Sequence, residues 1–260
     1  MGDRQKRWEE INEKKVTSHA NMIYEERNYR SLINKDNIIS YSVKIAQSDL
    51  WISSDSNLTG LAEKSLRQHR YFLESYIDRN PEFRTTLLPF PQDPLAPAII
   101  REMITQSTVC GVGPMASVAG AIAEFVGKDL SGLTNNLIIE NGGDIFIRSD
   151  KNLSIGVFAG ESTLSYKVKL SIKSEETPLG ICTSSATVGP SLSFGKADAV
   201  CVLSKSATLA DAAASAVGNV VKSKNDIKKA LAYGLKIPGV RGIVIIIGND
   251  MGAAGEVTFS

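Results

Sequence analysis

The stretch that decides the fold is Glu140-Asn141-Gly142-Gly143-Asp144-Ile145, which interrupts an otherwise apolar run over residues 137–147. Glycines inside a strand pattern weaken the strand, because they contribute no side-chain packing and leave the unfolded backbone more freedom. They are useful where the backbone must turn, or where a ligand lies against peptide atoms with no Cβ in the way. Asn-Gly and Gly-Asp are also turn dipeptides, so the stretch fits a hairpin turn as well as a ligand-binding strand.

Outward from this stretch, hydrophobic periodicity predicts strands and helices in separate groups. The predicted strands cover residues 38–45, 49–54, 137–147, 153–158, 166–172, 199–203, 242–247 and 256–259. The predicted helices cover residues 58–79, 98–107, 115–126, 207–221 and 225–233. This grouping predicts an α+β fold, with mixed or antiparallel sheets packed with helices. We expect a polar N-terminal arm over residues 1–18 and one domain over residues 19–260.

Composition and charge exclude several classes of function. Hydrophobic residues make up 43% and charged residues 22% of the 260 residues, as in ordinary globular proteins. The formal net charge is +1, with 29 basic against 28 acidic residues, which gives no electrostatic basis for binding nucleic acid. No apolar run approaches the ~20 residues that span a bilayer, and the charged first residues do not resemble an export signal. We therefore expect a cytoplasmic protein with no nucleic-acid or membrane partner.

The cysteines and histidines are few. Three cysteines form no Cys-x-x-Cys pair, so a disulfide framework or a structural zinc site is not predicted. The two histidines, His19 and His69, lie far in sequence from the glycine motifs and are interpreted as surface or packing residues.

Residues 182–195 predict a loop rich in hydroxyl groups and glycine. It begins with Cys182-Thr183-Ser184-Ser185. Such loops bind polar ligands or anions through hydroxyls and free N–H groups, although a plain solvent loop has the same composition. Cys182 fits either a small buried hydrophobe or a reactive thiol.

Asp211 and Ser215 are one turn apart on the alanine-rich predicted helix and so share a face. Oxygen ligands at that spacing suit a hard cation such as Mg²⁺, which takes few protein ligands. An aspartate early in a helix is also favourable with the helix dipole alone. Gly111-Val112-Gly113-Pro114, before another predicted helix, could cradle a phosphate but lacks the lysine of a P-loop.

These motifs, taken in order with the residues that flank them, resemble the ApbE-like superfamily. The matching stretches are Gly111-Val112-Gly113-Pro114-Met115-Ala116, Glu140-Asn141-Gly142-Gly143-Asp144-Ile145, Cys182-Thr183-Ser184 and Ala210-Asp211-Ala212-Ala213-Ala214-Ser215. The best-known members of that superfamily are FAD:protein FMN transferases, which cut FAD and attach FMN to a target threonine with Mg²⁺. The resemblance covers residues 111–219 and looks closest to a cytoplasmic branch with Cys-Thr-Ser-Ser followed by the run found here over residues 191–199.

The resemblance implies roles for individual residues. Asp211 matches the metal-binding aspartate, and Ser215 matches the neighbouring hydroxyl ligand. The flavin nucleotide would lie beside a set of residues from the other motifs: Gly113, Asn141, Gly142, Gly143, Asp144, Thr183 and Ser184. The transferases' histidine motif has no counterpart in residues 190–196, and Ser117 stands where their lysine is expected. Fold and pocket therefore carry over better than the transferase reaction.

Three functions follow as hypotheses. The leading one is a Mg²⁺-assisted pocket for FAD, FMN or another small nucleotide, in which Asp211 is the catalytic and metal-binding residue if turnover occurs. The second is sulfur transfer with Cys182 as the catalytic thiol, since archaeal members of the similar branch are associated with sulfide assimilation into homocysteine. The third is ligand binding without catalysis. The oligomeric state stays open, with a homodimer among the alternatives.

Overall fold

The structure, a computed structural model, describes residues 38–187 and 194–260, which contain ten β-strands and six α-helices. The strands are β1 Ile39–Ile45, β2 Ser48–Ser54, β3 Leu137–Asn141, β4 Asp144–Arg148, β5 Leu153–Gly156, β6 Lys169–Ile172, β7 Leu179–Ser184, β8 Ala199–Ser204, β9 Val240–Ile247 and β10 Asp250–Gly255. The helices are α1 Thr59–Arg79, α2 Glu82–Thr85, α3 Ala98–Cys110, α4 Val118–Leu130, α5 Ala207–Val220 and α6 Ile227–Gly234. The polar arm predicted over residues 1–18 lies outside the described part of the chain.

Eight strands form one antiparallel sheet in the order β1-β2-β3-β4-β7-β8-β9-β10, and β5 pairs with β6 in a second, two-stranded sheet. The central strands β3 and β8 are buried along their whole length. Strands buried on both faces need a layer on each side, and the helices and the small sheet provide these layers.

Two hydrophobic cores lie on opposite faces of the large sheet. Alternate residues of one strand enter different cores, as Ile139 does with the helices and Ile138 with β5 and β6. On β4, Phe146 faces the helices while Ile147 faces the small sheet. The α+β fold with antiparallel sheets packed against helices is therefore confirmed.

Two predicted segments differ from the structure. The last strand of the large sheet is β10, whereas residues 256–259 contribute one bridge, from Phe259 to Leu170 of the small sheet. β10 is hard to recognise because its glycines and alanines are depleted in strands, and pairing with β9 decides its conformation. Cys182-Thr183-Ser184, predicted as loop, forms the end of β7 and pairs with β8.

The predicted helix over residues 115–126 begins differently from the expectation. Pro114–Ser117 forms a 3₁₀ turn, and the α-helix starts only at Val118. Proline suits the first position of such a turn, because its missing N–H would be unpaired there. Across 38–187 and 194–260, no single helix has the length and apolar composition to cross a membrane, although the bent pair Ala98–Cys110 and Pro114–Leu130 meets those criteria together.

Candidate functional site

The Gly-Gly stretch is a hairpin turn between β3 and β4. Asn141 pairs with Asp144, and Gly142 and Gly143 have φ angles of +70° and +104°. Positive φ at both central positions is the requirement of a type I′ turn, which explains both glycines. The turn directs the side chains of Asn141 and Asp144 to the helix-covered face, the face that Ile139 and Phe146 occupy further along the same strands.

The first turn of α4 connects this hairpin to α5. The side-chain amide of Asn141 donates to the carbonyl oxygen of Ala119 at 3.1 Å. The N–H of Gly120, the next residue, donates to Oδ2 of Asp211 at 2.9 Å. A Cβ on Gly120 would lie 2.3 Å from the carbonyl oxygen of Ala207, so the close approach of the two helices needs glycine here. Asp211 and the Gly-Gly turn, a hundred-residue separation collapsed by the fold, thus meet on consecutive residues of one helix.

Asp144 and Asp211 form a pair of interacting carboxyl groups. Asp144 is only 7% exposed, and its Oδ1 has no hydrogen-bond partner in the described part of the chain. Burial raises the pKa of Asp144 well above the usual carboxyl range, and the charge of Asp211 raises it further. Burial also raises the pKa of Asp211, while the N–H groups of Gly120 and Ala119 oppose that rise.

Cys182 lies directly opposite Asp144 on β7 and is fully buried. Its Sγ donates to the carbonyl oxygen of Ala207 at 3.2 Å. Burial raises the pKa of Cys182 well above that of a free thiol, and the neighbouring carboxyl groups of Asp144 and Asp211 raise it further. The predicted reactive thiolate has no support from this environment, which stabilises the neutral thiol.

The other two cysteines are also buried free thiols. Burial and the charge of Asp211 raise the pKa of Cys110 to about 12. Burial raises the pKa of Cys201 to about 11. Thiol chemistry at neutral pH is therefore disfavoured at all three positions.

Thr183 and Ser184, expected to act together, lie on opposite faces of β7 because side chains alternate along a strand. The Thr183 side chain is hydrogen-bonded with Cys201, on the face of the small sheet. Its backbone N–H instead faces the carboxyl group of Asp144. Ser184 is on the helix face, with its Oγ 3.6 Å from the position of a Cβ on Gly218 of α5. Only Ser184 therefore presents its side chain on the same face as Asp144.

Ser215 follows Asp211 by one turn on α5, and both are partly exposed between buried neighbours. The predicted shared face is thus the polar stripe of an otherwise buried helix. The segment in which the resemblance expects the histidine motif, residues 190–196, falls largely on residues 188–193, outside the described part.

Gly113 is explained by packing. A Cβ there would lie 1.9 Å from the carbonyl oxygen of Thr86, and its φ of −73° is open to any residue. The glycine therefore lets this segment pass against the backbone after α2, and the structure adds no reason to place a phosphate beside it.

Glu124 of α4 was not singled out from the sequence, yet it holds the start of α5. This carboxylate is 3% exposed and accepts hydrogen bonds from the Ser206 hydroxyl at 2.8 Å and from the Thr208 N–H at 2.9 Å. Lys128 pairs with it at 2.6 Å. Although burial alone raises it, these hydrogen bonds and the lysine charge hold the pKa of Glu124 below its usual value. A lone acid in an apolar helix pattern was the available signal.

Protein ligands for a metal are limited to a small set of oxygens. Within the described ranges, no group of three or more His, Cys, Asp or Glu side chains is arranged to hold an ion. Two carboxylates and a hydroxyl remain, from Asp144, Asp211 and Ser215. Hard oxygen ligands in such small number suit Mg²⁺, which keeps several waters and takes ligand phosphates.

Comparison with known proteins agrees with this architecture. Residues 30–252 match the sequence profile of the family described as AbpE bacteria. The chain is 42% identical over 201 residues to a UPF0280 protein of Methanocaldococcus jannaschii, covering 75% of this chain and 82% of that protein. It is 38% identical over 228 residues to a UPF0280 protein of Methanococcus vannielii, covering 85% and 92%.

Among solved structures, the flavin transferase ApbE from Vibrio cholerae has a TM-score of 0.55 at 12% identity, covering 85% of this chain and 97% of that one. The Pseudomonas stutzeri flavinyl transferase ApbE, in its apo form, has a TM-score of 0.52 at 13% identity, covering 86% and 95%. At such identity these likenesses show the fold alone. From the profile match, the UPF0280 relatives and the shared fold, we conclude that the chain belongs to the AbpE bacteria family and is an ApbE-like protein.

Proposed function

We propose that this protein binds a flavin or another small nucleotide with the help of a divalent cation, for which Mg²⁺ is the best fit. The observation that carries the proposal is the meeting of Asp144 and Asp211 at the first turn of α4. Neither carboxyl group has a Lys, Arg or His within ion-pair distance in the described part. Two unneutralised carboxyl groups in one partly buried place are unfavourable without a positive charge.

The residues present fit a cation and a phosphate-containing ligand. Asp211 and Ser215 would hold the cation from α5, with Asp144 beside them. When bound, the cation would neutralise the negative charge of a pyrophosphate. Asn141 keeps the hairpin on α4, and the N–H groups of Ala119 and Gly120 orient the Asp211 carboxyl group. The ApbE names of the structural neighbours favour a flavin nucleotide over other nucleotides.

The sulfur-transfer alternative has less support, because Cys182 is buried and its thiol is kept neutral. The choice between an enzyme and a binding protein depends on turnover. Incubation of FAD with the protein and Mg²⁺, followed by chromatography of FMN and AMP, distinguishes the two. Cleavage that requires Asp211 makes the protein an enzyme, and intact FAD makes it a binder.

Titration of FAD, FMN and ADP by calorimetry, with Mg²⁺ or with EDTA, tests the proposal. We expect binding of at least one of the three that depends on Mg²⁺ and that falls about tenfold or more in Asp211→Asn. Asp250→Asn is the matched control, because it makes the same chemical change at an exposed residue of β10 that pairs with Lys224 at 3.5 Å. No binding of any of the three, or equal binding by Asp211→Asn, would refute the proposal.

A further inference from the structure

The carboxyl group of Asp144 has an oxygen that its surroundings do not explain. Asp144 is more than nine-tenths buried, and its Oδ1 lacks a hydrogen-bond partner among the described residues. Burying an unpaired polar oxygen is unfavourable, and native structures keep few such atoms. The side chain could turn to solvent only by leaving the hairpin turn, since its pairing with Asn141 and Cys182 determines the face on which it lies.

The surroundings hold Asp144 and Asp211 in place from outside. The N–H of Thr183 faces the Asp144 carboxyl group, and the N–H of Gly120 donates to Asp211 at 2.9 Å. These donors belong to the backbone of β7 and α4, so they are rigid. Carboxyl groups oriented by outer hydrogen bonds, with an oxygen left free between them, have the arrangement of preorganised metal ligands.

We propose that Asp144 is a direct ligand of the divalent cation, shared with Asp211, so that the protein binds the cation before any nucleotide arrives. This inference rests on the proposed function for the presence of a cation and adds a ligand and an order of binding. The resemblance to the superfamily assigns the metal to Asp211 and Ser215 only. A site with a second carboxylate carries twice the negative charge and needs no phosphate to complete it.

The geometry makes a prediction of opposite sign in the presence and absence of the cation. Without a cation, two neighbouring carboxylates repel each other, so removing one charge stabilises the folded protein. With a cation, the same change removes a ligand and therefore the stabilisation that binding confers. A residue with a merely structural role would lower stability in both conditions.

Asp144→Asn, which keeps the size of the side chain, is the decisive variant. In EDTA without nucleotide, we expect its melting temperature to be above that of the wild-type protein. With Mg²⁺, we expect the wild-type protein to gain stability and the variant to gain little. Titration with Mn²⁺, followed by electron paramagnetic resonance without nucleotide, should show an affinity about tenfold or more weaker in the variant. Asp250→Asn again serves as the control and should match the wild type.

Each outcome decides between the two proposals. If the wild-type protein binds no Mn²⁺ without nucleotide, or if Asp144→Asn binds it equally well, the role of Asp144 is refuted. If nucleotide binding in that case still requires Mg²⁺ and Asp211, the proposed function stands without this inference. If Asp144→Asn does not fold, Asp144→Ser is measured in the same way, and the wild-type Mn²⁺ titration alone retains the power to overturn the inference.

Discussion

At the scale of single residues, the site is built from constraints on the backbone as much as from functional groups. Gly142 and Gly143 are required by positive φ, and Gly120 is required by the contact between α4 and α5. None of these three glycines needs a ligand to explain it. They matter because they bring the carboxyl groups of Asp144 and Asp211 into one place.

Gly120→Ala tests this positioning. A Cβ at Gly120 would lie 2.3 Å from the carbonyl oxygen of Ala207 and 2.8 Å from Cβ of Asp211, so α4 and α5 must move apart. We expect a loss of about 1–3 kcal/mol in the free energy of unfolding, as for other overpacked sites. Weaker binding of Mg²⁺ and nucleotide should accompany it. Urea denaturation and calorimetry measure both effects.

Gly60→Ala is the matched control for that variant. Gly60 lies in α1, and nothing is within 4 Å of the position its Cβ would take. Alanine there should raise the free energy of unfolding by up to about 1 kcal/mol, because it is the better helix former. Unchanged stability and binding in Gly120→Ala would contradict the packing argument.

At the scale of elements, α5 is placed by α4 through one buried carboxylate. Glu124 accepts from Ser206, the N-cap of α5, and from Thr208 in its first turn. Asp211 lies in the next turn of the same helix. The position of Asp211 therefore depends on a polar contact on the far side of its helix start.

Glu124→Gln should lower the free energy of unfolding by about 1–3 kcal/mol at neutral pH, the range for charge-assisted hydrogen bonds. Because the folded-state pKa of Glu124 is lowered, its contribution is present above the ordinary carboxyl pKa and is lost as the pH falls through the folded-state value. The difference between wild type and variant should therefore shrink towards acid pH. Chemical denaturation at a series of pH values measures it, and a difference independent of pH would contradict this account.

At the scale of the whole molecule, the large sheet separates the site from a second core. Asp144, Cys182 and Asp211 lie with the helices, whereas the small sheet covers the opposite face. The fold thus gives the second core a role in stability and the helix layer a role in the site.

Leu170→Ala tests this separation. Leu170 of β6 is fully buried in the second core, so truncation should cost about 2–5 kcal/mol of unfolding free energy. Ligand and cation affinity should be unchanged while the protein remains folded. Leu209→Ala makes the same truncation on α5, where the side chain is 5% exposed, and should reduce both stability and affinity. Loss of affinity in Leu170→Ala would show that the two faces are coupled.

Local patterns were sufficient for much of the fold. The apolar stripe over residues 58–79 predicted α1, and the alternation in residues 38–45 predicted β1, as the structure confirms. β10 was misplaced because its glycines and alanines have no strand preference of their own. The end of β7 was read as loop because cysteine, threonine and serine suit either conformation, and pairing with β4 and β8 decides between them.

By itself, the sequence determined the α+β class, the kinship and the chemical groups available, since these depend on periodicity, motif order and residue type. Only the tertiary structure decided how those groups meet. It put Asp144 beside Asp211, turned Thr183 away from Ser184 and buried Cys182 as a neutral thiol. The physical reason is that burial, charge interaction and the face of a strand are set by neighbours distant in the chain, which no local pattern specifies.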